Sequence, residues 1–141
     1  MKTWIGRIGI LLFLALIAMQ FVPIERTNPP VESDVPAPPE LKEVLRRACY
    51  DCHSNETRWP WYSRVAPVSF LIANDVKEGR SEVNFSQWSQ YNGARKGKKL
   101  KEIAEQVEKG EMPQWYYVLI HTDAKLSAGD KEIIINWAKQ K

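Results

Sequence analysis

The residues that bear most directly on chemistry are Cys49-Tyr50-Asp51-Cys52-His53, a C-x-x-C-H run. At this spacing two thiols can form thioether bonds to the vinyl groups of one haem, and the adjacent histidine can become an axial ligand of the iron. The motif therefore predicts haem c, one per chain, attached through Cys49 and Cys52, with His53 as the proximal ligand. A five-residue match can arise by chance, so the rest of the sequence has to agree with it.

The chain has only two cysteines and two histidines, His53 and His121, which limits the alternatives. A structural zinc site would need all four residues, including the sequence neighbours Cys52 and His53. A redox dithiol of the thioredoxin type follows a β-strand, and no convincing strand precedes Cys49. A simple local disulfide is a third alternative. Covalent haem is favoured over all three.

Length and composition describe one folded domain with a short appendage. The chain has 141 residues, of which 44% are hydrophobic and 11% aromatic, as in a protein that builds a core. Its six tryptophans suit either a core around a large flat ligand or an ordinary aromatic core. The net charge of +3 is too small to predict a nucleic-acid partner.

Residues 1–23 have the layout of an export signal. Lys2 and Arg7 are followed by an apolar run over 8–22, which Pro23 closes. Residues 4–22 come close to the roughly 20 residues that a membrane span needs. An uncleaved membrane anchor is therefore the preferred interpretation, with a cleaved signal peptide as the alternative. The positive start predicts that the rest of the chain lies at the periplasmic face of a bacterial cytoplasmic membrane, or in the periplasm after cleavage.

The remaining sequence divides into a linker and a helical domain. Residues 24–39 are rich in proline and predict an extended spacer that holds the domain, residues 40–141, away from the bilayer. Apolar periodicity predicts helices over 40–48, from Ala66-Pro67 to a stop at Gly79, over 98–109 with a stop at Gly110, and after the Ser127–Asp130 capping box. Residues 115–120 are ambiguous, and no alternating strand pattern of useful length occurs. The expected fold class is all-α.

The second axial ligand is predicted to be Met112, which lies in Gly110-Glu111-Met112-Pro113. A thioether is a soft ligand that raises the reduction potential relative to a second imidazole. The alternatives are that Met112 fills a gap in the core, that His121 ligates the iron, or that one iron face stays open.

The domain resembles class I c-type cytochromes. It shares a helix that runs into C-x-x-C-H, a Met-Pro segment 59 residues after His53, and a terminal helix carrying Trp137. This resemblance implies that the first and last helices of the domain cross and that His53 and Met112 bind opposite faces of the haem.

Residues 40–140 are also similar to a family of small exported bacterial haem-binding domain proteins. The segments that carry this similarity are 49–57, 60–63, 66–69, 79–80, 84–86, 110–113, 119–121 and 125–127. Gln114 departs from the pattern, which has a second proline at that position.

The expected function is one-electron transfer to or from redox partner proteins of the membrane or periplasm, without catalytic residues. A peroxidase-like haem enzyme and a redox or gas sensor are the alternatives, and both need an open or displaceable iron site. Four aromatic side chains are expected to wall the haem pocket: Tyr50, Trp59, Trp61 and Trp115.

Overall fold

The computed structural model describes residues 2–139, and side chains from Trp4 onward. Within this range the chain is helical and contains no β-strand, so the all-α prediction is confirmed. The helices are α1 (Lys2–Met19), α2 (Pro39–Ala48), α3 (Tyr50–His53), α4 (Val68–Glu82), α5 (Gly93–Lys109), α6 (Trp115–Ile120) and α7 (Ala128–Lys139). Three short 3-10 helices connect them, at Trp61–Arg64, Phe85–Gln90 and Thr122–Ala124.

The core lies where α2, α5 and α7 pack together. The apolar stripe predicted for the first domain helix is buried, with Leu41 and Leu45 almost fully enclosed. Facing side chains come from α5 and α7, including Leu100 and Ile134. This packing fixes the end of α2, where the cysteine motif begins.

Local capping sets the ends of these helices. The Asn92 side chain accepts a hydrogen bond from the Arg95 backbone, so α5 begins at Gly93, five residues before the predicted start. Gly110 ends the helix in the left-handed conformation, with φ of 73°, as predicted. The Ser127 and Asp130 side chains exchange the predicted capping-box hydrogen bonds at the start of α7.

The helix that follows Ala66-Pro67 differs from the prediction at its end. Gly79 does not stop it, because α4 continues to Glu82 and Gly79 has no positive φ. A glycine is required there for space: a Cβ at this position would lie 2.5 Å from the Cys52 carbonyl oxygen. On the same helix the apolar periodicity of the sequence predicts Val68 and Leu71 on the inner face, but they are 42% and 47% exposed.

The proline-rich segment is extended, as predicted, but it packs against the domain. Val35 is buried in the core, and the Glu32 and Ser33 backbones donate hydrogen bonds to the Ser86 carbonyl. Arg80 of α4 holds the segment further upstream by donating to the Thr27 carbonyl at 2.9 Å. Residues 24–39 therefore form part of the domain surface, which their proline content did not indicate.

Apart from Lys2, Thr3 and Arg7, helix α1 consists of apolar residues and glycine, and its side chains from Trp4 through Ala18 are exposed. It meets the domain at its end, where the Gln20 side chain bonds to the Ala66 backbone. No helix within residues 2–139 is both long enough and apolar enough to cross a membrane.

Candidate functional site

The cysteine motif lies at the junction of α2 and α3. Cys49 follows α2 directly, and its carbonyl accepts hydrogen bonds from the Cys52 and His53 backbones at 3.2 and 2.9 Å. This tight turn presents both thiols and the imidazole within one short helix. Both cysteines are free thiols and half-buried, so the disulfide alternative is not seen.

The contacts of His53 fix which ring nitrogen can bind a metal. Its Nδ1 lies 2.9 Å from the Gly79 carbonyl oxygen and 3.2 Å from that of Val83, so Nδ1 carries the proton and donates. Nε2 then keeps its lone pair for a ligand. Burial lowers the pKa of His53, which favours the neutral imidazole that metal ligation requires.

A cavity of about 430 Å³ opens in front of the motif. Cys49, Cys52, His53 and Met112 all line it, so the structure brings the predicted attachment and ligand residues to one site. Its walls come from α4, α5 and α6 and are largely apolar, and Phe85 is among them. A cavity of this size, with a largely apolar inner surface and charged residues around it, suits a large flat cofactor that carries charged groups.

Met112 reaches the cavity from the end of α5. After Gly110 turns the chain, the Glu111 and Met112 backbones both donate to the Gln106 carbonyl, at 3.0 and 3.3 Å. These bonds tie the methionine segment to the helix whose Gln106 also lines the cavity. The thioether is therefore held on a braced loop and not on a free one.

The two thiols lie in surroundings that keep them protonated. Burial raises the pKa of both Cys49 and Cys52 to about 12, and Asp75 and Asp51 add to the effect on Cys52. A reactive redox dithiol or a zinc site needs thiolates, which a low pKa favours. Within residues 2–139 no group of three or more His, Cys, Asp or Glu side chains is placed to hold a metal ion.

Asp51, the second residue between the cysteines, organises the wall of the site. Its buried carboxylate accepts hydrogen bonds from the Arg58 guanidinium at 3.2 Å and from the Tyr117 hydroxyl at 2.7 Å. Tyr117 lines the cavity, so Asp51 fixes a wall residue to the motif. No local sequence pattern indicates these hydrogen bonds, because Arg58 and Tyr117 lie 7 and 66 residues away.

His121 lies outside the set of residues that line the cavity. Its ring stacks on Tyr117 with centroids 4.2 Å apart, and its Nε2 is hydrogen-bonded to the Tyr62 hydroxyl. Those contacts occupy the nitrogen that would otherwise bind iron. Of the two candidates for the second axial position, Met112 is the one that the structure places at the cavity.

The aromatic residues expected to wall the pocket do not line it, so that prediction is wrong. Tyr50 is buried in the core, whereas Trp61 and Trp115 are 77% and 73% exposed. The cavity instead receives the aromatic rings of Phe85 and Tyr117. None of the six tryptophans is among the residues that line the cavity.

The charged residues around the cavity are mostly acidic: Asp51, Asp75, Glu78, Glu82 and Glu102. Lys99 is the one cationic side chain among the described lining residues, and its Nζ lies 3.3 Å from Glu102. Burial raises the pKa of Asp75, and Tyr116 donates to its carboxylate at 3.0 Å. Among the described lining residues, Lys99 is the one cation that could pair with a haem propionate.

Two thiols and a neutral imidazole on one wall, with a thioether on the same cavity, are a donor set that fits haem c. A family model for a haem-binding domain matches residues 14–140 and so includes the extended segment that packs on the helices. Neither a curated protein nor a solved structure matches the chain. Because the family model covers most of its length, the chain belongs to the haem-binding domain family.

Proposed function

We propose that the protein carries one electron on a haem c attached through Cys49 and Cys52, with His53 and Met112 as axial ligands. The observation that supports this most is the cavity, which all four residues line together. Haem binding itself follows from the family, whereas the attachment, the ligands and the electron transfer are the proposal.

The chain's own residues suit a carrier better than an enzyme. With an imidazole and a thioether both committed to iron, no coordination position remains for a substrate. The bound haem would supply a reversible one-electron couple. Hydrogen bonds from His53 to the carbonyls of Gly79 in α4 and of Val83 just after it, and the backbone tether of Met112, would keep both side chains in place when the bound haem gains or loses an electron.

We further propose that the protein works outside the cytoplasm. Residues 1–23 combine two early basic residues with an apolar stretch, and this layout directs export, whether the segment is later cleaved or retained as an anchor. Covalent haem attachment in bacteria takes place on that side of the membrane, so motif and leader support each other. Its partners would be redox proteins of the membrane or periplasm.

The test compares Met112→Ala with the matched variant His121→Ala in haem-loaded protein. The parent should be low-spin in both oxidation states, should show the weak red-edge band of methionine–iron ligation when oxidised, and should not bind carbon monoxide. Met112→Ala should lose that band, bind carbon monoxide and have a reduction potential lower by on the order of 0.1 V, because axial ligands set haem potentials over a wide range. His121→Ala should leave ligation unchanged.

The opposite pattern would overturn the ligand assignment. If His121→Ala opens the iron and Met112→Ala does not, the haem has two imidazole ligands. A parent protein that is high-spin and binds carbon monoxide readily would replace the carrier with an enzyme or a sensor.

A further inference from the structure

Outside α1 and the residues just after it, large exposed apolar side chains are concentrated in three segments. They are the 3-10 helix Trp61–Arg64 with the residue after it, the first turn of α4, and α6. Seven side chains form this set, which we call the aromatic face: Trp61, Val65, Val68, Leu71, Trp115, Leu119 and Ile120. In the rest of the described domain, Val31 is the one other large apolar side chain of comparable exposure.

The three segments are neighbours. Tyr62 of the 3-10 helix is hydrogen-bonded to His121 at the end of α6. Tyr116 of α6 donates to Asp75 of α4 at 3.0 Å. Side-chain bonds thus join all three segments, and the exposed residues belong to one region of the surface. Exposed apolar groups concentrated in one region mark an interaction site.

The apolar helix α1 ends at this region. The Gln20 side-chain amide accepts a hydrogen bond from the Ala66 backbone at 3.0 Å and donates to its carbonyl at 3.1 Å. Ala66 lies between Val65 and Val68, two members of the aromatic face. Arg26, six residues further on, donates to the Ser63 carbonyl. A lipid phase that received α1 would therefore lie next to the aromatic face.

The charges of the face suit a lipid surface. Residues 59–74 and 113–120 contain no acidic side chain and a single basic one, Arg64. Asp75, the next residue of α4, lines the cavity and accepts the hydrogen bond from Tyr116. Tryptophan is enriched at the membrane–water interface because its ring is apolar and its N–H is polar, and phospholipid head groups attract the arginine.

We propose that the aromatic face rests on the lipid bilayer, with Trp61 and Trp115 in the head-group region. The inference depends on the proposed location outside the cytoplasm and on the retention of α1. It adds that the domain lies against the bilayer and is not held away from it. Because Tyr117 of α6 lines the cavity while Trp115 of the same helix faces out, the contact places the haem site one helix behind the lipid surface.

The test uses the full haem-loaded chain with fluorinated tryptophan in nanodiscs of phosphatidylethanolamine and phosphatidylglycerol. Fluorine signals are compared with and without a trace lipid that carries gadolinium on its head group, so that broadening by the haem iron cancels. Each signal is assigned by a single Trp→Phe substitution. Trp61 and Trp115 should broaden several-fold more than the buried Trp88 and Trp137, and Trp4 of α1 should broaden as well.

Two results of the fluorine experiment would overturn the contact, and they distinguish a domain that stands off the bilayer from a failed attachment of α1. If Trp4 broadens but Trp61 and Trp115 behave like Trp88, the domain stands off the bilayer although α1 is embedded. If Trp4 also fails to broaden, membrane attachment by α1 fails together with the contact. The haem spectrum of the same sample reports independently on the cofactor. Two other observations would assign the aromatic face to a protein instead. A doubled mass in detergent, abolished in the double variant Trp61→Gln/Trp115→Gln, would assign it to a second copy of the chain. Loss of broadening only when a redox protein is added would assign it to that partner.

Discussion

Gly79→Ala should destabilise the protein although alanine is the better helix former. The added Cβ would lie 2.5 Å from the Cys52 carbonyl oxygen and 3.0 Å from its carbonyl carbon. The first distance is about 1 Å shorter than ordinary van der Waals contact, and both neighbours are backbone atoms that cannot rotate away. Helix α4 must therefore move off α3.

The expected magnitude is a balance of two terms. Alanine in a helix interior gains about 1 kcal/mol over glycine, whereas overpacking a tight contact costs about 1–3 kcal/mol. Moving α4 also lengthens the 2.9 Å hydrogen bond from His53 to the Gly79 carbonyl, whose loss adds about 1 kcal/mol. The net loss of unfolding free energy should be about 2 kcal/mol, which lowers Tm by roughly 5–10 °C.

Gly97→Ala is the matched control. Gly97 lies inside α5, and no atom lies within 4 Å of its would-be Cβ. This variant should gain about 0.5–1 kcal/mol from helix propensity alone. Thermal unfolding of the two haem-loaded variants, followed by circular dichroism, should shift in opposite directions. If Gly79→Ala has a Tm equal to or above that of the parent while Gly97→Ala gains stability, the steric clash with the Cys52 backbone does not exist.

Three further predictions concern the motif and its supports. Replacing both Cys49 and Cys52 with alanine should leave any bound haem extractable by acidified organic solvent, and haem that resists extraction would contradict thioether attachment. Asp130→Asn should reduce the unfolding free energy at pH 7 by about 1–2 kcal/mol, because the Asp130 carboxylate pairs with Arg47 at 2.6 Å and accepts the capping-box hydrogen bond from the Ser127 backbone at 2.8 Å. The hydrogen bond from Arg47 lowers the pKa of Asp130 below 3.8, so this contribution is present above that pH. Urea titrations of variant and parent should therefore converge as pH falls through the folded-state pKa. Arg80→Gln should speed proteolysis of the extended segment before α2 several-fold, since Arg80 holds that segment by hydrogen bonds to the Thr27 carbonyl and the Asn28 side chain, and an unchanged cleavage rate would show that the other contacts suffice.

Local rules account for what the sequence predicts about the fold. The stripe in α2, the left-handed Gly110 and the Ser127–Asp130 capping box each depend on residues a few positions apart, so pattern and structure agree. The ambiguous residues 115–120 became helix α6, a short element whose apolar run has no clear period.

Contacts between distant segments account for what the sequence does not predict. Glycine is typical of a helix end, but Gly79 lies inside α4. A glycine is required there because the backbone of Cys52, 27 residues earlier in the chain, leaves no room for a Cβ. Val35 lies among prolines that predict a free spacer, yet its side chain is buried as part of the hydrophobic core of the helices. The Asp51–Tyr117 bond likewise spans 66 residues.

The same distinction applies to the candidate site. The attachment residues and His53 are adjacent in sequence, so a short motif predicts them. Met112 lies 59 residues after His53, outside any local motif, and the structure has it lining the cavity beside the cysteines. Composition alone does not distinguish the inside of a cavity from the outer surface. It therefore predicts Trp61 and Trp115 at the pocket, although both side chains are exposed.

The central claim is that haem is bound covalently by the two cysteines. The most direct measurement is a pyridine haemochrome spectrum of protein matured in an export-competent host, with protein concentration determined independently. Attachment through Cys49 and Cys52 should give one haem per chain with the spectrum of a porphyrin whose two vinyl groups have become thioethers. A spectrum with intact vinyl groups, or colourless protein with two free thiols, would contradict it.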